Sequence, residues 1–245
     1  MAQRVTEWTD NVNTEYHEKQ FNEPYRSTIA FCDWLETTGL MNSDSNIKIL
    51  DLCSGAGANL YYMSQRYRKS VFVGIDINPY LVDTGNAFFN KMGAHSCRLT
   101  VGDICNIDAQ GFDGIISLQS LSWLPEIEQP IQSMARVGAK WIAASSLFYN
   151  GLVSCKTEVT EYDTHHDPSR ITYYNVYSIP VVKDYFGVCG YNVCGVKPFE
   201  MDIDLPKPIN AGLGTYTEKT AEGERLQISG PLLMPWHFIA AKRAI

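Results

Sequence analysis

The sequence lacks the arrangements that would place it in several large functional classes. Its seven cysteines (Cys32, Cys53, Cys97, Cys105, Cys155, Cys189, Cys194) are dispersed, with no Cys-x-x-Cys pair and no histidine at zinc-like spacing, so neither a disulfide framework nor a metal site is expected. No apolar run approaches the roughly 20 residues that a membrane-spanning helix requires. Basic residues are in the minority. Twenty Lys and Arg stand against 27 Asp and Glu, and a formal net charge of −7 disfavours nucleic acid or an anionic membrane as partner. There is no GxxxxGK[ST] phosphate loop, no internal repeat and no low-complexity tract. The first 20 residues are too polar for a secretion signal, so the expected setting is the cytoplasm, with the thiols reduced.

What is present is a regular alternation. At 245 residues, 45% of them hydrophobic, the chain suits one α/β domain spanning residues 1–245. Short β-branched apolar runs at 47–53, 71–76, 97–103, 112–118 and 140–148 read as strands, with late candidates at 192–201 and 236–244. Between them "ANLYYMSQRY" and "PYLVDTGNAFFNKMG" have helical spacing, the second opening at Pro79 and stopping at Gly93. Strand, helix and parallel strand in turn predict a sheet covered by helices. "STIAFCDWLETTG" predicts an N-terminal helix, and "IPVVKDYFGVCG" a later one. Residues 149–178 sustain neither period and read as an excursion over the carboxyl edge of the sheet. Residues 202–231, rich in Pro and Gly, read as a second long insertion, and insertions of this length in a compact domain are usually functional.

"KILDLCSGAGANL", residues 48–60, runs a strand into Gly55 and Gly57 and then into a helix, a geometry that lets backbone amides approach a nucleotide-like ligand. A dinucleotide site would want a third glycine at position 60, where the chain has Leu60. Asp51 stands four residues before Gly55, where a pyrophosphate would meet an unfavourable charge and an ammonium group a favourable one. Asp76 ends the second strand, 19 residues beyond Gly57, at a position suited to ribose hydroxyls. Asp103 ends the third, placed for an exocyclic adenine amine, with Ile104 to cover the ring. Aspartates also cap strand ends and helices for structural reasons alone, but three at successive strand ends beside a GxG loop point to a ligand that combines ammonium, ribose and adenine.

"ILDLCSGAGANL", "VGIDINPYLV", "VGDICNI" and "FDGIISLQSLSWL", in this order and spacing, resemble the motifs of the class I S-adenosylmethionine-dependent methyltransferases over residues 45–150. The resemblance implies a Rossmann-like α/β fold: a seven-stranded, mostly parallel sheet with an antiparallel last strand and helices on both faces. It divides the chain into an N-terminal helical lid (1–45), a cofactor-binding half (46–150) and substrate-side insertions with the C-terminal strands (151–245), the insertions following strands five and six. It implies S-adenosylmethionine as cofactor, S-adenosylhomocysteine as product, and Asp51, Cys53, Gly55, Gly57, Asp76, Ile77, Asp103, Ile104 and Gln119 as cofactor-binding residues. Ala58 followed by Asn59 departs from the family pattern, where a further small or hydroxyl residue is common. Related small-molecule enzymes often fold an N-terminal segment over the cofactor, which nominates Tyr16, Tyr25 and Arg26. The tyrosine faces would meet the sulfonium and the arginine the methionine carboxylate, unless these residues fill the helix–sheet interface instead.

Methyl transfer of this kind needs an in-line approach, exclusion of water and, for a hydroxyl acceptor, removal of a proton. His165 and His166, flanked by Asp163 and Asp167, are candidate bases, the alternative being a solvated polar loop. Ser120 and Trp123, after strand four, and Tyr173, Tyr174 and Tyr177 are candidate substrate-binding residues, Trp123 and the tyrosines having packing as their alternative role. The expected acceptor is a hydroxyl or amine of a small polar metabolite, for which a sugar or carbohydrate precursor is one candidate, with O-methylation slightly ahead of N-methylation. An NAD-dependent oxidoreductase is the competing enzyme, and a non-catalytic methyltransferase-like binding module the competing non-enzyme.

Overall fold

The apolar runs are short and bounded by small or polar residues, so each closes after a few residues and the chain turns back across the sheet. In the computed structural model, which describes residues 19–209 and 213–244, the first part is α1 (Arg26–Thr37), β1 (Lys48–Leu52), α2 (Ala58–Arg66), β2 (Val71–Asp76), α3 (Pro79–Met92), β3 (Cys97–Val101), β4 (Gly114–Leu118), α4 (Glu128–Val137) and β5 (Trp141–Tyr149). There follow a hairpin of β6 (Glu158–Tyr162) and β7 (Pro168–Tyr173), then β8 (Tyr177–Ser178), α5 (Ile179–Val188) and β9 (Tyr191–Pro198). The chain finishes with a small antiparallel sheet of β10 (Thr215–Lys219), β11 (Arg225–Ser229) and β12 (Leu232–Leu233), and with β13 (Trp236–Arg243).

The large sheet has the order β3-β2-β1-β4-β5-β13-β9, and short β8 adds a few residues against β5. β1 to β5 are parallel, while β13 runs antiparallel to both of its neighbours, β5 and β9. This is the expected seven-stranded path with its antiparallel last strand, and β8 makes an eighth member. Strand order reverses between β1 and β4, so the carboxyl ends of these two strands flank the crevice where such sheets take ligands.

Alternation along the strands sends Ile49, Phe72, Leu99 and Ile116 to one face, beneath α1, α2 and α3, and Leu50, Val73, Ile115 and Ile142 to the other, beneath α4 and α5. The helix ends have local causes. Asn78 caps α3 by accepting from the Tyr80 and Leu81 amides, with Pro79 in the first turn and left-handed Gly93 at the stop. The Ser178 hydroxyl caps α5 by accepting from the Val181 amide. α4 was not among the expected elements: Pro130 in its first turn and Ile131, Met134 and Val137 on its buried side make it, and Gly138 ends it. No helix bridges β3 to β4; residues 102–113 cross as a loop beside a cavity of about 590 Å³ lined by Val73, Thr100 and Phe112. Among the described residues, no helix is long and apolar enough to cross a membrane.

One close approach fixes how α3 sits on the glycine loop. A Cβ on Gly85 would lie 2.2 Å from the carbonyl oxygen of Ala56, a backbone atom that cannot swing away. Gly85→Ala should therefore cost about 1–3 kcal/mol through overpacking, read as a lowered midpoint in urea unfolding.

Candidate functional site

β1 delivers Asp51 to the switch point, in register with Gly74 of β2 and Ile116 of β4. Its side chain is 1% exposed, and Oδ2 is buried with no hydrogen-bond partner among the described residues. Burial, reinforced by the neighbouring Asp76 carboxylate, pushes the Asp51 carboxyl well above the usual carboxylate range, with a hydrogen bond from the Leu52 backbone only partly opposing them. A bare buried carboxyl beside a glycine loop is costly for the protein alone and well suited to a ligand cation.

Asp76, at the end of β2, is bound differently. Its Oδ2 accepts from the Gly55 amide at 2.7 Å and its Oδ1 from the Asn78 amide at 2.9 Å, so it clamps the glycine loop to the start of α3. Asp103 is exposed, its Oδ1 accepting from the Cys105 amide at 2.8 Å in a tight turn. Ile77 is half-buried beyond Asp76. Ile104, expected over an adenine ring, is packed into the second core instead, because this loop has to cover β1 and β2 in the absence of a helix.

The ends of β1 and β4 are stitched together. The Ser117 hydroxyl donates to the Leu52 carbonyl at 3.3 Å and lies 2.7 Å from that of Ser120. The Cys53 thiol is pushed up by burial and by the neighbouring Asp76 and Asp51 carboxyl groups, with a Ser120 hydrogen bond opposing, and is a neutral wall rather than a thiolate nucleophile. Cys53 and Gln119 both hold positive φ, 58° and 57°, although neither is glycine. Side chains adopt this region at a cost, and here the pair flanks the crevice. The Gln119 amide donates to the Ser145 carbonyl at 2.8 Å, which continues the β4–β5 ladder past the bend.

The N-terminal segment docks through Thr28, near the start of α1. The Thr28 hydroxyl donates to Asn59 Oδ1 at 2.7 Å, tying the first turn of α1 to the helix that leaves the glycine loop. Asn59, where the chain departs from the pattern it resembles, thus has a structural partner, which nothing short of the docked helix reveals. Tyr25 is half-buried, its phenol oxygen accepting from Gln20 Nε2 at 2.6 Å. Arg26, expected at the cofactor carboxylate, is exposed and paired with Asp202 at 2.6 Å. Two helical positions separate it from buried Thr28, which turns it about 200° away from the glycine loop. Tyr16 lies outside the described residues.

The substrate-side candidates divide. Ser120, Trp123 and Tyr173 are half-buried. Tyr174 is buried and packs its ring 4.3 Å from that of Trp123, in a small core with Leu147, Met234 and Trp236. Tyr177 is buried, its hydroxyl donating to the Leu124 carbonyl at 3.2 Å, and burial pushes its phenol up to about 12. Asn175 braces the same turn, donating to Leu124 at 2.8 Å. These two tyrosines are therefore supports for the β4–α4 turn rather than the expected substrate rim. His165 and His166 sit exposed at the β6–β7 tip, and Asp163 Oδ1 accepts from the backbone amides of His165 and Asp167, not from an imidazole. β7 runs from Pro168 to Tyr173, about 17 Å at strand rise, with the histidines beyond its far end, so the structure does not gather the histidines with the strand-end residues. The hairpin turn uses the flanking acids, and the expected base orientation is not formed. Among the described residues no group of three His, Cys, Asp or Glu could hold a metal ion.

Residues 49–140 match the family described as "Methyltransferase domain". A protein of Rickettsia prowazekii is 32% identical over 125 residues, 48% of this chain, and the chain spans 21% of the length of that longer relative. Among solved structures, an S-adenosylmethionine-dependent methyltransferase from Aquifex aeolicus superposes with a TM-score of 0.55 at 15% identity, covering 94% of this chain and 98% of that one. Magnesium protoporphyrin IX methyltransferase from Synechocystis, solved with bound S-adenosylmethionine, gives 0.56 at 13% identity, over 98% and 89%.

Asp51 also makes a stability prediction. A carboxyl raised in the folded state contributes most below its ordinary range, and that contribution is lost as pH rises through the raised value. Asp51→Asn removes the loss. The ligand-free variant should denature at a higher temperature than wild type at about pH 8, with the gap closing toward about pH 4, where the wild-type carboxyl carries its proton.

Proposed function

Given the class I methyltransferase fold of this chain, we propose that it transfers a methyl group from S-adenosylmethionine to a hydroxyl or amine of a small polar molecule. The observation that carries this reading is the buried, unpartnered Asp51 carboxyl at the switch point, with Asp76 and Asp103 at the next two strand ends. The three acids fit the group in chemical kind. Asp51 would meet the ammonium, Asp76 the ribose hydroxyls while holding the glycine loop, and Asp103, exposed, the adenine amine. When bound, the cofactor supplies a methyl group already activated by its sulfonium.

The protein then has to orient and to exclude water. The bends at Cys53 and Gln119 and the Ser117–Ser120 contact fix the two strand ends between which an acceptor would approach. Half-buried Ser120, Trp123 and Tyr173 offer hydroxyl and ring surfaces suited to a sugar or similar polar metabolite. The net charge of −7 supports a small molecule over nucleic acid. With the histidines at an exposed tip, an amine arriving unprotonated fits this site as well as a hydroxyl does. Nicotinamide chemistry is disfavoured by Asp51, and by Leu60, fully buried where a dinucleotide loop wants glycine.

Calorimetry tests the reading directly. S-adenosylhomocysteine should bind and NADH should not. Asp76→Ala should weaken binding about tenfold or more, since it removes a ribose acceptor and leaves two loop amides without their partner. Binding of NADH in place of S-adenosylhomocysteine would overturn the assignment.

A further inference from the structure

Two carboxyl groups lie on neighbouring strands at the carboxyl ends of β1 and β2, close enough for one to act on the other, and their surroundings differ. Asp76 accepts backbone N–H bonds on both oxygens, 2.7 Å from Gly55 and 2.9 Å from Asn78, an arrangement that suits an anion. Asp51 has one oxygen with no partner among the described residues and is closed off from water. The groups that bear on Asp51 come from each side. On β2 it is the Asp76 carboxylate, in the loop the neutral Cys53 thiol, and beneath it the Leu52 amide. Its registered partners, Gly74 on β2 and Ile116 on β4, carry no charge. Among the described residues, no cation is one of the groups that bear on it. Two adjacent carboxyls in such a setting do not both ionise; one keeps a proton. The hydrogen bonds decide which, because the anion belongs where the amides are. The proton belongs on Asp51.

We propose that loading the cofactor, by bringing its ammonium group to Asp51, drives one proton off that carboxyl into solution, so that cofactor affinity in this protein is coupled to pH. This inference rests on the reading of the site as one for S-adenosylmethionine. The step balances simply: the Asp51 O–H bond breaks, the proton goes to buffer, and the carboxylate left behind pairs with the ammonium. In the empty site Asp51 is neutral, so the protein avoids a bare buried anion at the cost of an affinity that falls in acid.

Titration calorimetry with S-adenosylhomocysteine in phosphate, HEPES and Tris at the same pH counts the protons, because the observed heat then varies with the ionisation enthalpy of the buffer. Near pH 7 the count should approach one proton released, and affinity should fall up to about tenfold for each pH unit of acidification. In Asp51→Asn the release should vanish, and whatever affinity remains should be flat over the same range. A second measurement needs no variant: in protein labelled with ¹³C at aspartate, one carboxyl should move from its protonated to its ionised shift as S-adenosylhomocysteine is added. Binding with heats independent of buffer, or a release that persists in Asp51→Asn, overturns the proton coupling and leaves the cofactor assignment standing. Failure of S-adenosylhomocysteine to bind wild type overturns the cofactor assignment and this inference with it.

Discussion

The site end of the molecule depends on one carboxylate accepting two backbone amides. Asp76 joins the turn after β1 to the turn after β2 through Gly55 and Asn78, and Asn78 in turn caps α3. Helix α3 then presses Gly85 against the Ala56 carbonyl. The loop, the helix start and the crevice wall are therefore one unit, and the same residue that would touch a ribose builds the surface around it. A charge used in this way is cheap to keep buried, since its solvation is replaced by oriented amides. Asp51, one strand away, has only the Leu52 amide and one oxygen without a partner among the described residues, and that contrast gives the crevice its polarity.

Around this unit the sheet divides the work between its faces. On one side α1, α2 and α3 cover β1 to β4, and α1 adds Phe31 and Trp34 against Phe238 of β13. The Thr28–Asn59 bond links that cover to the glycine loop, so the N-terminal helix belongs to the crevice mechanically even though Arg26 turns away from it. On the other side the β4–α4 turn is propped by Asn175 and Tyr177, which reach in from the excursion after β5. The excursion thus serves to fix Ser120 and Trp123 from behind.

The strands and the three acids were legible in the sequence, and for the same reason. A short apolar run closes at a definite residue, so a polar residue placed at its end is placed at the carboxyl edge of the sheet. What was not legible depended on choices the local pattern does not make. Arg26 and Thr28 differ by a helical rotation whose phase is set by packing on Phe238 and α2, not by their own neighbours in sequence. Tyr174 and Tyr177 read as a binding rim because tyrosine serves rim and core equally well, and only the Leu124 carbonyl and the Trp123 ring decide between them. The β6–β7 hairpin escaped because its strands are partly exposed on both faces and carry no hydrophobic period. α4 escaped because its apolar residues are few and follow a proline.

The position of β13 has a consequence for how the molecule is made. It comes late in the sequence, after β10 to β12, yet it lies inside the sheet, between β5 and β9; among the described residues β9 pairs with no other strand, and β13 takes the side of β5 that β4 leaves open. While the ribosome is still producing the stretch that carries β10 to β12, β5 is exposed along one side as a long, apolar, unpaired edge, the kind of edge that recruits other chains. The contacts that close it are among the most distant in sequence and so among the slowest to form. The nascent chain therefore holds a nearly finished crevice before it holds a finished sheet, and its most vulnerable moment falls just before residues 236–243 arrive.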